Sequence, residues 1–159
     1  MSYFSGAVPV LDVVARLVVA VVLGGLIGWN RERLDKPAGL RTHMMVTLGS
    51  AAFVLLALDL SSTAPGVLGT QGMDPTRVIQ GVAGGIGFLG AGSIIQSRGE
   101  VSGVTTASGI WVAGALGVAC ALGAYEAAIT IAIISLLVLG VLGRLERRLK
   151  AKSGQGGAP

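Results

Sequence analysis

Apolar residues run through this chain in five blocks, each closed by charge, proline or glycine. The first, residues 10–29, is long enough for a helix that crosses a bilayer core of about 30 Å. Only Asp12 and Arg16 interrupt it. They lie four apart on one helical face, so they are expected to pair and relieve the cost of a charge held in lipid. The same row continues as Ala20, Gly24 and Gly28. A polar stretch at 30–41, NRERLDKPAGLR, holds Pro37 and Gly39, which suit a tight turn. The second block, 40–60, has His43 near its start and Asp59 near its end. The polar connection 61–76 ends on Asp74-Pro75, a helix start with Asp as N-cap and Pro in the first turn.

The third block lies between Arg77 and Arg98, twenty uncharged residues with glycine at 81, 84, 85, 87, 90 and 92. So much glycine would weaken a helix in water. In lipid an unpaired amide costs more than glycine's entropy, so the run is expected to stay helical. Gly81 and Gly85 make a GxxxG step, and Ala83, Gly87 and Ala91 a second small stripe, which predicts a central helix packed on more than one side. A short loop, 98–103, leads to the fourth block, 104–124. Here Thr105, Gly109, Ala113, Gly117 and Ala121 recur every four residues, a small face expected beside the third span. Trp111, mid-span, is expected to pack against protein. The Ala20-Gly24-Gly28 row is left as the outer, self-complementary face of a homodimer. After a turn at Gly123 comes the fifth block, 126–143, then a basic tail with a disordered end, 144–159.

The fold class is therefore all-α, a polytopic membrane bundle of five transmembrane helices over residues 1–143. Composition agrees: 52% hydrophobic, 13% charged and a mean hydropathy of +0.77 exclude an ordinary soluble domain. The net charge of +4 does not signal nucleic acid, because the basic residues flank apolar runs and almost no aromatic residues stand among them. Ten Lys and Arg fall on the side of the first loop, the third loop and the tail, against Arg16 and Arg77 on the other. That places the N-terminus outside and the C-terminus in the cytoplasm. The first ten residues carry no Lys or Arg, so no cleavable signal is expected.

Candidate chemistry is sparse. Gly85, Gly87 and Gly90 spell a dinucleotide fingerprint, but that motif needs a preceding strand and an acid about twenty residues on, where Ile110 stands. No nucleophile-base pair or phosphate loop can be assembled, so neither an enzyme nor a cofactor is expected. His43 and Cys120 are each the sole residue of their type, which favours a hydrogen-bonded anchor and a packed thiol over metal ligation. Asp12, Asp59, Asp74 and Glu126 fall at outer helix ends; of these Asp12 and Asp74 are the candidates for a hard cation such as Mg²⁺. Capping is the simpler account of Asp74. Matching spacings, Arg16 to Gly24 and Arg77 to Gly85, and the likeness of residues 39–42 to 103–106, raise an internal parallel repeat of two spans.

Three blocks carry a family resemblance. They are Gly28-Trp29-Asn30-Arg31-Glu32-Arg33 with Lys36-Pro37-Ala38-Gly39-Leu40-Arg41-Thr42-His43; Asp74-Pro75-Thr76-Arg77 with Gly85-Ile86-Gly87-Phe88-Leu89-Gly90-Ala91-Gly92; and Gly103-Val104-Thr105-Thr106-Ala107-Ser108 with Trp111 and Gly117. Together they resemble the MgtC/SapB membrane proteins over residues 10–143. The resemblance implies a five-helix protein of the bacterial inner membrane, linked to adaptation to low Mg²⁺ and to survival of pathogens inside host cells. It implies a regulator that binds other membrane proteins, among them the F-type ATP synthase. The alternative is an oligomeric transporter or channel for Mg²⁺ or another divalent cation. The candidate functional residues are Arg16, Arg31, Glu32, Arg33, Pro37, Gly39, Arg41, Thr42, His43, Asp74, Arg77, Gly85, Gly87, Gly90, Gly92, Thr105, Thr106 and Trp111. Longer members carry a soluble C-terminal domain, which has no counterpart in this sequence.

Overall fold

The computed structural model describes residues 8–63, 74–97 and 99–143, and five helices build it: α1 Val10–Glu32, α2 Leu40–Thr63, α3 Pro75–Gly92, α4 Val104–Ala121 and α5 Tyr125–Leu137. A two-stranded hairpin, β1 Ile95–Ser97 and β2 Glu100–Ser102, joins α3 to α4. A π-helical turn, Val138–Leu142, extends α5. The basic tail, the connection over 64–73 and Arg98 lie outside the described residues.

The burial pattern inverts that of a soluble bundle. On α1, Leu11, Val14, Val18, Val22, Leu26 and Trp29 form one stripe at helical spacing, each at least half exposed, while the buried positions include Ala20, Gly24 and Gly28. Large apolar residues outward and small ones inward is the arrangement lipid favours, because close backbone approach replaces the hydrophobic effect between helices. In water the same stripe would be a large apolar patch. α1, α2 and α4 are long and apolar enough to cross a membrane; α5 is apolar but shorter.

The centre of the bundle is α2 held between α1 and α4. A Cβ on Gly28 would lie 2.7 Å from the Cα of Leu40, and one on Gly24 would collide with the Thr47 side chain. The Ala20-Gly24-Gly28 row is thus consumed inside the chain against α2 and is not an outer face for a second copy. The α4 row also packs on α2 and not on α3: a Cβ on Gly117 would run into the Thr47 carbonyl and lie 2.8 Å from Ser50 Cβ, and Gly109 faces the His43 ring. Ala20, Ala51, Val54, Leu116 and Cys120 are fully buried where the three helices meet. Thr105, the first residue of that row, is exposed.

α3 departs furthest from expectation. It lies at the edge, touching α2 and docked on α4 through Ile86 against Gly114 and through Gly90, whose Cβ would lie 3.4 Å from the Ala107 carbonyl oxygen. Around Gly81, Gly84, Gly85 and Gly87 nothing approaches within 4 Å, so the GxxxG step meets no helix. α3 also stops at Gly92, short of the expected span, and the chain turns through Ser93 into the hairpin at Gly99, whose φ of +83° only glycine adopts readily. Trp111 is 54% exposed, although α4 packs against α1, α2, α3 and α5.

Candidate functional site

One end of the bundle gathers the motif residues. The last turn of α1, the turn after it and the first turns of α2 and α4 meet there. Glu32 accepts a hydrogen bond from the Leu40 N–H at 2.8 Å and so satisfies one of the orphan donors at the start of α2. A Cβ on Gly39 would run into that carboxylate, which explains glycine beside it. Asp35 takes the left-handed backbone at φ 50° in the turn that includes Pro37. Arg33 lies 5.3 Å over the Trp29 ring, a cation–π contact at the bundle surface. Arg41 and Thr42 are exposed.

Arg31 behaves differently from its neighbours. It is 3% exposed, and its Nη2 donates to Thr106 Oγ1 at 2.9 Å. No carboxylate lies within ion-pair distance of it among the described residues, and its Nε is buried without a partner. His43 is fully buried beside it. Its Nδ1 lies 2.9 Å from the Gly39 carbonyl oxygen. A carbonyl can only accept, so Nδ1 carries the proton; in the neutral ring Nε2 is a bare lone pair. That Nε2 has no partner either and lies 3.5 Å from where a Cβ of Gly109 would be. Asn30, whose Oδ1 is a third unsatisfied buried atom, sits one residue before Arg31 with its Nδ2 close to Gly140. Buried polar atoms are nearly always satisfied, and a buried unpaired charge is costly, so three of them at one end mark a site.

The opposite end holds the other candidates. Arg16 Nη2 pairs with Asp12 at 2.7 Å, and its Nη1 donates to the Ala121 carbonyl at 2.6 Å. Gly123, at φ +72°, leaves room for that guanidinium, 3.3 Å from its would-be Cβ. Arg16 therefore closes the C-terminus of α4 as well as pairing within α1. Asp74 caps α3 by accepting from the Thr76 N–H at 2.9 Å, and hydrogen bonds from Thr76 hold its carboxyl below the usual range. Arg77 is exposed one turn on. Asp12 and Asp74 thus have protein partners, and no three His, Cys, Asp or Glu residues converge among the described residues.

The first and third motif blocks therefore come together at Arg31, His43 and Thr106, and the second touches that end only through Gly90; Gly85, Gly87 and Gly92 stay open. Sequence reasoning missed Thr47, Asn30 and Gly109. Asn30 lies in the first motif block, and Gly109 in a small-residue row that meets α2 rather than α3. The dinucleotide-like glycines lie inside α3.

Lipid-type burial and a motif-lined polar end define a helical membrane protein. The chain belongs to the MgtC family, whose model matches residues 17–148. It is 38% identical over 146 residues to YhiD of Escherichia coli K12, a candidate magnesium transporter by its description, covering 89% of this chain and 66% of that one. It is 40% identical over 144 residues to SrpB of Synechococcus elongatus, covering 83% and 75%. To MgtC of Salmonella typhimurium it is 35% identical over 136 residues, covering 86% of this chain and 54% of the relative. The chain thus spans about two thirds of YhiD and about half of MgtC. No solved structure matches it.

Proposed function

We propose that this chain is a non-enzymatic, multi-pass protein of the bacterial inner membrane that supports adaptation to low Mg²⁺ by binding and restraining other membrane proteins. In this reading all five helices span, with the N-terminus outside and the Arg31 end facing the cytoplasm, as the Lys and Arg count favours. The observation that carries it is a groove of about 680 Å³ between α2 and α3, walled by Gly49, Gly81 and Gly85, whose Cα atoms face open space. Glycines on both walls allow a foreign helix to come close where lipid offers no hydrophobic drive. A membrane partner such as the F-type ATP synthase, or a second copy, fits that chemistry. In a pathogen the same restraint would serve survival inside host cells.

The test pairs two assays. Purified protein in proteoliposomes should move no Mg²⁺ in a saturable way, while its expression should restore growth at low Mg²⁺ to a strain lacking its own relative. Gly85→Leu, which fills the groove, should abolish that growth and leave the protein folded in the membrane. The second reading, a divalent-cation transporter, has the description of YhiD behind it, and saturable flux would establish it.

A further inference from the structure

His43 is the single histidine of the chain and is among the largest side chains that are fully buried. It stands in the first turn of α2, and three helices close on it. Its Nδ1 is held at the Gly39 carbonyl oxygen, 2.9 Å away. From α1, the Arg31 charge acts on the ring, and the same guanidinium donates to Thr106 of α4. α4 meets the ring itself at Gly109, where a Cβ would lie 3.5 Å from Nε2. Thr106 and Gly109 are three apart and so share one face of α4. Guanidinium and imidazole therefore stand side by side along that face, both buried.

This arrangement suits the neutral ring. With its proton on Nδ1, the ring presents the lone pair of Nε2 to α4. Gly109 lies inside that helix, Val104–Ala121, where backbone N–H and C=O groups are committed to one another. A proton added at Nε2 would aim a donor at committed backbone and place a second positive charge beside Arg31. Like charges sheltered from water repel far more strongly than exposed ones. Arg31 is the charged group that faces the ring from α1. Glu32, next to it in sequence, gives its carboxylate to the Leu40 N–H. On α2 itself Arg41 is exposed, and Asp59 lies about four turns on. Arg77 of α3 is exposed at the other end. α4 brings Thr106 and Gly109 to the junction, and its titratable Cys120 is about three turns beyond.

We propose that His43 is a proton-responsive pin of the α1–α2–α4 junction: neutral, it lets the three helices close, and protonated, it drives the start of α4 away from Arg31 and the first turn of α2. Acid therefore loosens this end of the bundle and leaves the Arg16 end as it is. Thr42 and Val46, on either side of His43 in sequence, line the α2–α3 groove, so movement of this turn reaches the groove. The pin does not depend on what that groove binds, and stands or falls independently of the functional reading.

A single histidine makes the test direct. The full, untagged chain with isotope-labelled histidine is titrated in a non-ionic detergent from about pH 8 to about pH 4, a range that brackets the ordinary imidazole. Nitrogen NMR then reports the protonation of His43 alone. Hydrogen–deuterium exchange on the same samples, corrected for the intrinsic effect of pH, reports the opening of each helix. At the alkaline limit the proton should sit on Nδ1. As Nε2 takes its proton, corrected exchange should rise by about tenfold or more over the first turns of α2 and α4, the response to a coupling of about one pH unit. Exchange around Arg16 should not change. His43→Asn keeps an amide donor for the Gly39 carbonyl and cannot titrate, so it should lose this acid response. Protonation of the ring with exchange unchanged would overturn the proposal, as would an equal acid response in His43→Asn. A ring that stays neutral to about pH 4 while the helices hold would overturn it too. If His43→Asn does not fold, the unaltered chain decides: protonation and opening must share one midpoint, and separate midpoints reject the pin.

Discussion

Arg31 and Thr106, seventy-five residues apart in sequence, meet through a buried hydrogen bond of 2.9 Å that joins the end of α1 to the start of α4. Among the described residues it is the one side-chain tie of the Arg31 guanidinium, and α2 passes beside it through His43. Two motif blocks read in the sequence as separate loop signatures are halves of one contact.

Thr106→Val keeps the shape of the side chain and removes the acceptor. A buried donor left unsatisfied costs about 1–3 kcal/mol, more when it is charged. Thr106→Val should therefore lower thermal stability in detergent clearly, and Thr106→Ser, which keeps the hydroxyl, should lower it much less. Equal melting temperatures for Thr106→Val and the unaltered chain would show that the bond has no weight.

Arg16 supports the opposite end. Its side chain is part-buried and joins Asp12 to the Ala121 carbonyl, so Arg16→Met releases two partners at once. A loss of about 1–3 kcal/mol is expected from charge-assisted bonds in partial shelter. Asp12→Asn should cost less, because the bond to Ala121 survives it. Thermal unfolding of the two variants side by side checks the order, and a milder Arg16→Met would reverse the assignment.

Asp74 gives a pH dependence with a definite sign. Its folded pKa is depressed by bonds from Thr76, so its stabilising effect is present above the unfolded value, about 3.9, and fades as pH falls through the folded one. Asp74→Asn and Asp74→Ser can both cap, so both should fold at neutral pH and lose the part of the acid response that belongs to this group. If Mg²⁺ dependence of growth vanished in both variants while folding held, a cation role for Asp74 would replace capping.

Helix existence, the Asp12–Arg16 pair, the Asp74 cap and the burial of Cys120 were legible because each depends on local spacing or on residue type. What was not legible is which neighbour a small-residue row meets. Ala20-Gly24-Gly28 and Gly109-Ala113-Gly117 look alike on a helical wheel, and a sequence gives their rotation but not their partner. Both turned to α2, whose own residues Thr47 and Ser50 carried no stripe to announce it. In the sequence Arg31 reads as one cation of a charged loop, like Glu32 and Arg33 beside it, which are exposed; only the fold shows that it is buried.

The glycines of α1 and α3 therefore answer the same substitution in opposite ways. Alanine at Gly28 puts a Cβ 2.7 Å from the Leu40 Cα and 2.9 Å from the Gly39 oxygen, both backbone atoms that cannot swing aside. α1 and α2 would have to separate at the point where Glu32 caps α2, and overpacking of this kind costs about 1–3 kcal/mol. Alanine at Gly81 meets nothing within 4 Å, and in a helix it is favoured over glycine by up to about 1 kcal/mol. Gly28→Ala should thus lower the melting temperature in detergent, and Gly81→Ala should hold or raise it. A Gly81→Ala chain that is stable when purified but fails to restore growth at low Mg²⁺ would assign that glycine to contact with another chain. If Gly28→Ala were as stable as the unaltered protein, the close approach of α1 and α2 would be wrong.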